Sequence, residues 1–329
     1  VFKEVTDIFR INCESDFEQI ALRIFKFQFD HNDVYRKWVY LLGIHKSDIN
    51  SLKDIPFLPI EFFKSHKITA YPASAPEDIV FISSSTTSQV PSHHFVKDVN
   101  VYRASFLKTF SLFFGEVTDY CIIALLPGYL DRQGSSLVYM CNELIGISGH
   151  PNSGFYLRNL EELIEVLEHL KLTKQKTLLI GVSYALLDLA DKGISLSDNF
   201  TVMETGGMKG TRKELLKEEL HAQLKTKFGI NAIASEYGMT ELLTQAYALE
   251  EGKFRMPPWM KVMIRDVNDP YTYMAVGKTG GMNVIDLANV HSCSFIATKD
   301  LGLMDFDGHL ILKGRYDNSD IRGCNLMMA

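Results

Sequence analysis

Four short stretches concentrate the side chains that could handle a phosphorylated ligand. Ser83-Ser84-Ser85-Thr86-Thr87-Ser88 is a run of hydroxyls after an apolar segment; hydroxyls and backbone N–H groups in such a loop suit a polyphosphate. Glu204-Thr205-Gly206-Gly207 closes another apolar run, and its glycines let a flat ligand lie against bare backbone. Ser235-Glu236-Tyr237-Gly238-Met239-Thr240-Glu241 sets an aromatic stacking face beside a carboxylate of the kind that binds Mg2+ near phosphates. The fourth stretch is Thr298-Lys299-Asp300-Leu301-Gly302, followed by Gly314-Arg315 and Asp320-Ile321-Arg322-Gly323-Cys324. It adds a carboxylate for ribose hydroxyls, a guanidinium for phosphate and a thiol whose pKa Arg322 would lower. Taken singly, these are also a surface loop, a glycine turn and a small residue on a terminal strand. Taken together, all four are predicted to follow strand ends, the edge at which open α/β sheets bind ligands.

Three other motifs read as structure. Gly277-Lys278-Thr279 has the tail of a phosphate-binding loop, but Thr272 stands where the first glycine belongs and a strand follows. Gly181-Val182-Ser183-Tyr184-Ala185 sits where a hydrolase nucleophile would. Ala185 replaces its second glycine, and Ser183 reads as a helix cap. His93-His94-Phe95-Val96-Lys97-Asp98 fits the HHxxxD of condensation-type acyltransferases, yet Val99 replaces the usual glycine and Asp98 reads as a helix cap.

The elements that must position these residues follow from hydrophobic periodicity. Phe17, Ile20, Ala21, Ile24 and Phe25 mark one N-terminal helix and residues 34–42 a second. A proline-rich stretch with Pro56, Pro59, Pro72 and Pro76 links them to the body. Strands are expected at 79–82, 120–126, 177–182, 200–203 and 232–234, with helices from Asp98 and at 135–145, 160–170, 184–190 and 212–228. Apolar strands with helical crossovers imply a mostly parallel sheet covered on both faces. Phe106, Phe110, Phe113 and Phe114 form a helix face that reads as core, and His150, Pro151 and Gly154 are a guess for an acyl site. After Gly252 short runs at 261–265, 282–286, 295–298 and 309–313, parted by turns such as Asp305-Phe306-Asp307-Gly308, read as a β-rich subdomain. The expected divisions are N-terminal helices at 1–50, an α/β nucleotide-binding body at 51–252, and the β-rich unit at 253–329.

Composition narrows the function classes. A net charge of −6 without a basic run argues against nucleic-acid binding. At 46% hydrophobic and 22% charged residues the chain is globular rather than disordered. No apolar run is long enough to span a membrane, so a soluble, cytoplasmic protein is expected. Cys13, Cys121, Cys141, Cys293 and Cys324 make no zinc spacing.

On these residues the chain resembles the adenylate-forming enzymes of the acyl-CoA synthetase superfamily. Within it the match is to the acyl-protein synthetase (LuxE-like) family, known from the fatty-acid reductase of bacterial bioluminescence. Tyr237-Gly238-Met239-Thr240-Glu241 matches the superfamily's YGxTE motif in full, and Asp300 and Arg315 match its later motifs in order; the resemblance spans residues 55–329. It implies an α/β fold whose large adenylate-forming-type domain has a mostly parallel sheet covered by helices, plus the β-rich subdomain. It also implies ATP and Mg2+ as cofactors and a carboxylic, fatty, acid as substrate. Ser84, Ser85, Thr86 and Thr87 would hold the β- and γ-phosphates, Gly206, Gly207, Tyr237 and Gly238 the adenine, and Asp300 the ribose. Glu241 would bind Mg2+ and act with Thr240 and Arg315 in catalysis; Cys324 would accept the acyl group and pass it to an acyl-CoA reductase-like partner.

The chain departs from the family pattern in places. Ser85 and Ser88 replace glycines, Ser92 or His93 a lysine, and Lys299 the glycine before Asp300. The chain runs only a short way past Arg315, so the mobile C-terminal lid of the CoA ligases is expected to be absent, which favours a protein thiol over CoA. A CoA ligase with its lid supplied in trans and a non-catalytic nucleotide- or acyl-binding relative are the alternatives.

Overall fold

The structure is a computed structural model and describes residues 5–72, 75–84, 90–127, 134–156, 160–206 and 215–316. The alternating apolar runs build a six-stranded sheet in the order Gly154–Phe155, Cys121–Leu125, Thr177–Val182, Phe200–Thr205, Ala234–Tyr237 and Ala246–Ala248. Its pairings are parallel except the last, which is antiparallel. Cys121–Leu125 and Thr177–Val182 are buried at every position, as strands covered on both faces must be.

Local signals set the covering helices. Asp98 caps Val99–Phe114 by accepting from Asn100 N–H at 2.9 Å, and Ser135 caps Ser136–Ser148 by accepting from Val138 N–H at 3.3 Å. Phe106, Phe110 and Phe114 are buried core. Lys217–Phe228 stops at Gly229, whose φ of +69° is the left-handed conformation glycine adopts freely. No helix among the described residues is long and apolar enough to cross a membrane.

A second sheet runs Lys253–Phe254, Leu310–Arg315, Phe295–Met304, Gly280–Asp286 and Met260–Arg265, all antiparallel, with Leu58–Pro59 added parallel to Phe295–Met304. This is the β-rich unit expected after Gly252. The N-terminal helix Glu14–His31 is keyed to it by Gln28. That side chain donates to Asn289 O and Val290 O, both at 3.0 Å, and accepts from Ser294 N–H at 3.0 Å. Ile79–Ile82 pairs antiparallel with His93–Val96 in a separate two-stranded sheet, and the hydroxyl-rich stretch falls between these strands in sequence.

Several expectations need correction. Glu204, Thr205 and the segment Ser235-Glu236-Tyr237 lie inside strands rather than after them. Asp300 lies in the middle of Phe295–Met304, beside an irregularity in register at Leu301/Gly302. Ser183 is not a cap: Val182 takes that place, and Ser183 Oγ donates to Gly206 O at 3.0 Å. Ala246–Ala248 was hidden because a short apolar edge strand has no alternating pattern to reveal it.

Candidate active site

The strand Ala234–Tyr237 delivers Tyr237 to the second sheet. Tyr237 Oη donates to Asp300 Oδ2 at 2.8 Å, and Arg315 Nε donates to Asp300 Oδ1 at 3.0 Å. The hairpin register explains the second contact, because Asp300 and Arg315 are directly paired. Asp300 is 8% exposed. Burial pushes its carboxyl up, while the Arg315 charge and the Tyr237 hydroxyl oppose that rise. The Tyr237 phenol is pushed well above its ordinary range by burial and then by the Asp300 charge. Three residues from separate motifs thus form one contiguous group.

Glu241 and Thr240 lie just beyond Tyr237 and are held by their backbone. Asn289 Nδ2 donates to Glu241 O at 2.7 Å, and His94 Nδ1 to Thr240 O at 2.8 Å. A carbonyl only accepts, so His94 carries its proton on Nδ1. Burial lowers His94 to about 4. His94 is thus neutral, with its Nδ1 committed to the Thr240 carbonyl. The Glu241 side chain is buried, which raises its pKa, while the Ser92 hydroxyl and the Arg315 charge lower it.

Ser92 also closes the neck of the hydroxyl-rich loop. Ser83 N–H donates to Ser92 O at 3.0 Å, and Ser92 N–H to Ser83 Oγ at 2.8 Å. Ser84 stands just past that neck; Ser85, Thr86 and Thr87 lie outside the described residues, as do Gly207 and Cys324. Gly206 is exposed with φ +70°, a turn that a side chain would strain. Gly238 is required for a different reason, since a β-carbon there would stand 2.3 Å from Glu236 Oε1.

Two glutamates that sequence reasoning gave no role are the most perturbed acids nearby. Burial pushes Glu204 up, but hydrogen bonding from His221 and the charge of Lys217, 2.8 Å away, more than offset this and hold it at about 2. Burial pushes Glu236 up to about 7, where the Thr205 hydroxyl bound at 2.5 Å opposes the rise and the Glu204 charge adds to it. The sequence held no signal for them, because both fall beyond the strands expected at 200–203 and 232–234. Among the cysteines, burial pushes Cys121 up to about 11 and Cys293 to about 12, and Cys141 higher still. These thiols are poor nucleophiles.

The family model described as acyl-protein synthetase, LuxE, matches residues 148–329. No curated protein matches the sequence. Among solved structures the chain is similar to 2-hydroxyisobutyryl-CoA ligase in complex with 2-HIB-AMP and CoA in the thioesterification state. The identity is 12%, 93% of this chain and 68% of that chain are covered, and the TM-score is 0.66. ATP-bound MatB from Rhodopseudomonas palustris shares 17% identity over 75% of this chain and 50% of its own, with a TM-score of 0.53. O-succinylbenzoate coenzyme A synthetase (MenE) from Bacillus subtilis, in complex with AMP, shares 16% over 76% and 51%, with a TM-score of 0.51. The chain therefore spans about half the length of MatB and MenE. These likenesses establish the adenylate-forming α/β fold. The family model covers more than half of the sequence, including Tyr237 to Glu241, Asp300 and Arg315, and the chain belongs to the LuxE acyl-protein synthetase family.

Proposed function

We propose that this chain is an AMP-forming acid–thiol ligase that activates a carboxylic acid with ATP. The observation that carries this reading is the Tyr237–Asp300–Arg315 group, which joins the two sheets at the carboxyl edge of the parallel one. In the first step a carboxylate oxygen of the acid attacks the α-phosphorus of ATP. The bond to the bridging oxygen breaks, pyrophosphate leaves and an acyl adenylate remains. In the second step a thiolate attacks the acyl carbon, AMP leaves and a thioester forms.

The protein's part is positioning and charge stabilisation. Asp300 receives the ribose hydroxyls, and the exposed Arg315 guanidinium neutralises phosphate charge. Tyr237 and Gly238, with Gly206 and Gly207, would bind the adenine, and Thr240 would act in catalysis. Ser84, Ser85, Thr86 and Thr87 would hold the β- and γ-phosphates. Glu241 fits Mg2+, since it is an oxygen donor beside the Ser92 hydroxyl at the neck of that loop. When bound, the ion neutralises charge on the departing pyrophosphate. Cys324 is the acyl acceptor, and from it the acyl group passes to a reductase-like partner or another acceptor.

The test is intact-protein mass after incubation with ATP, Mg2+ and a panel of carboxylic acids. A hydroxylamine-labile acyl adduct on the wild type that is lost in Cys324→Ala supports the reading. An adduct that survives moves the acceptor elsewhere, and pyrophosphate release only with CoA present replaces the protein thiol by CoA.

A further inference from the structure

The face of the sheet opposite Tyr237 holds a cluster that the nucleotide site does not use. Side chains alternate along Ala234–Tyr237, so Glu236 points away from Tyr237. Its Oε2 accepts from Thr205 Oγ1 at 2.5 Å, and its Oε1 lies directly under Gly238. Gln245 crowds the same glycine, with its Cγ 3.4 Å from where a β-carbon would stand. Gln245 is 4% exposed; its Nε2 donates to Tyr102 Oη at 3.4 Å, and among the described residues its Oε1 has no hydrogen-bond partner. Tyr102 Oη is itself committed to Ser136 O at 3.0 Å.

Among the described residues, then, Gln245 Oε1 is an acceptor without a donor, and Glu236 is met by the single hydroxyl of Thr205. Lys217, a described cation whose charge reaches Glu236, is bound to Glu204. The remaining titratable neighbours, Tyr102, Tyr247 and Cys141, have their own protons held more tightly by the Glu236 charge. Glu236 nevertheless keeps accessible surface although burial raises its pKa. Tyr102, whose phenol feels the Glu236 charge, packs against Phe81 at 5.3 Å and Tyr139 at 5.9 Å between centroids. Buried acceptors left unpaired cost free energy that a donor-bearing ligand would recover.

Resting on the adenylation reading, we propose that the acid activated here carries a hydrogen-bond donor, a hydroxyl or an ammonium, beyond its carboxylate, and that Glu236 and Gln245 receive it. A plain alkyl chain would cover both acceptors and satisfy neither, so an acid of this class replaces the plain fatty acid expected from sequence. Sites that hydrogen-bond a substrate OH or NH reject the analogue lacking it far more strongly than apolar pockets reject a methylene.

The test offers the full chain matched acids with ATP and Mg2+: para-hydroxybenzoate against benzoate, and omega-hydroxy- and omega-aminohexanoate against hexanoate. Pyrophosphate release gives kcat/KM, and calorimetry gives binding of ATP and of each acid. The expected result is a donor-bearing acid preferred at least ~10-fold by the wild type, with the preference cut to about threefold or less in Glu236→Leu. Glu236→Gln, nearly isosteric, guards against misfolding of the leucine variant: it should lose preference for the ammonium more than for the hydroxyl. Equal rates on both members of every pair, or a preference unchanged in both variants, overturns the inference and leaves adenylation standing. Absence of pyrophosphate with every acid, while ATP still binds, instead overturns adenylation and this inference with it.

Discussion

Glu204 and Glu236 stand on adjacent strands at one edge of one sheet, and the fold treats them oppositely. Glu204 is the deeper, at 4% exposed, yet it is held ionised at about 2. Glu236 keeps accessible surface, yet it sits at about 7. Depth alone does not decide charge. Glu204 has Lys217 at 2.8 Å and His221 at 3.6 Å, whereas among the described residues Glu236 is held by the Thr205 hydroxyl. The register places Glu204 beside Ser235 and Thr205 beside Glu236, so the two carboxyls point to opposite faces and meet different partners.

The largest expected effect breaks the structural half of this pair. Glu204→Leu leaves Lys217 and His221 without their counter-charge and should lower stability by about 3 kcal/mol in urea unfolding; an unchanged midpoint would remove the distinction between the two acids.

The pH dependence comes next, and the two acids act in opposite directions. The folded value of Glu236, about 7, lies above its ordinary 4.5. Its contribution is therefore complete below pH 4.5 and is lost as pH rises through about 7. The folded value of Glu204, about 2, lies below 4.5, so its contribution is present above 4.5 and is lost as pH falls towards 2. Between pH 4.5 and about 7 wild type should lose roughly 3 kcal/mol relative to Glu236→Gln as pH is raised. Parallel stability curves from pH titration of unfolding would contradict the assignment.

Asp300 is the intermediate case, a buried acid with a partner on either side. Asp300→Ala should cost about 2 kcal/mol in transition-state binding, roughly thirtyfold in kcat/KM for ATP, without the stability loss of Glu204→Leu. Tyr237→Phe, which removes one of its two partners, should cost about 1 kcal/mol, roughly fivefold, in the same assay. A larger loss for Tyr237→Phe than for Asp300→Ala would reverse the order of importance within the group.

The contrast also marks what the sequence makes legible. Tyr237, Gly238, Thr240 and Glu241 are consecutive enough to read as one string, and Asp300 and Arg315 follow in order; the structure brings Tyr237, Asp300 and Arg315 together. The parallel sheet and the β-rich unit were legible from apolar runs and turn residues, because their periodicity is local. The roles of Glu204 and Glu236 were not, since each depends on side chains distant in sequence: Lys217 and His221 for one, Tyr102 and Gln245 for the other. Asp300 was expected after a strand because a local pattern cannot show that the strand continues through it to pair with Arg315.

The most direct test of the account is acid-dependent ATP–pyrophosphate exchange by the full chain with Mg2+, wild type against Asp300→Ala. The account predicts exchange that requires the carboxylic acid and falls roughly thirtyfold in the variant. Exchange absent from a folded, ATP-binding wild type across the whole acid panel would contradict it.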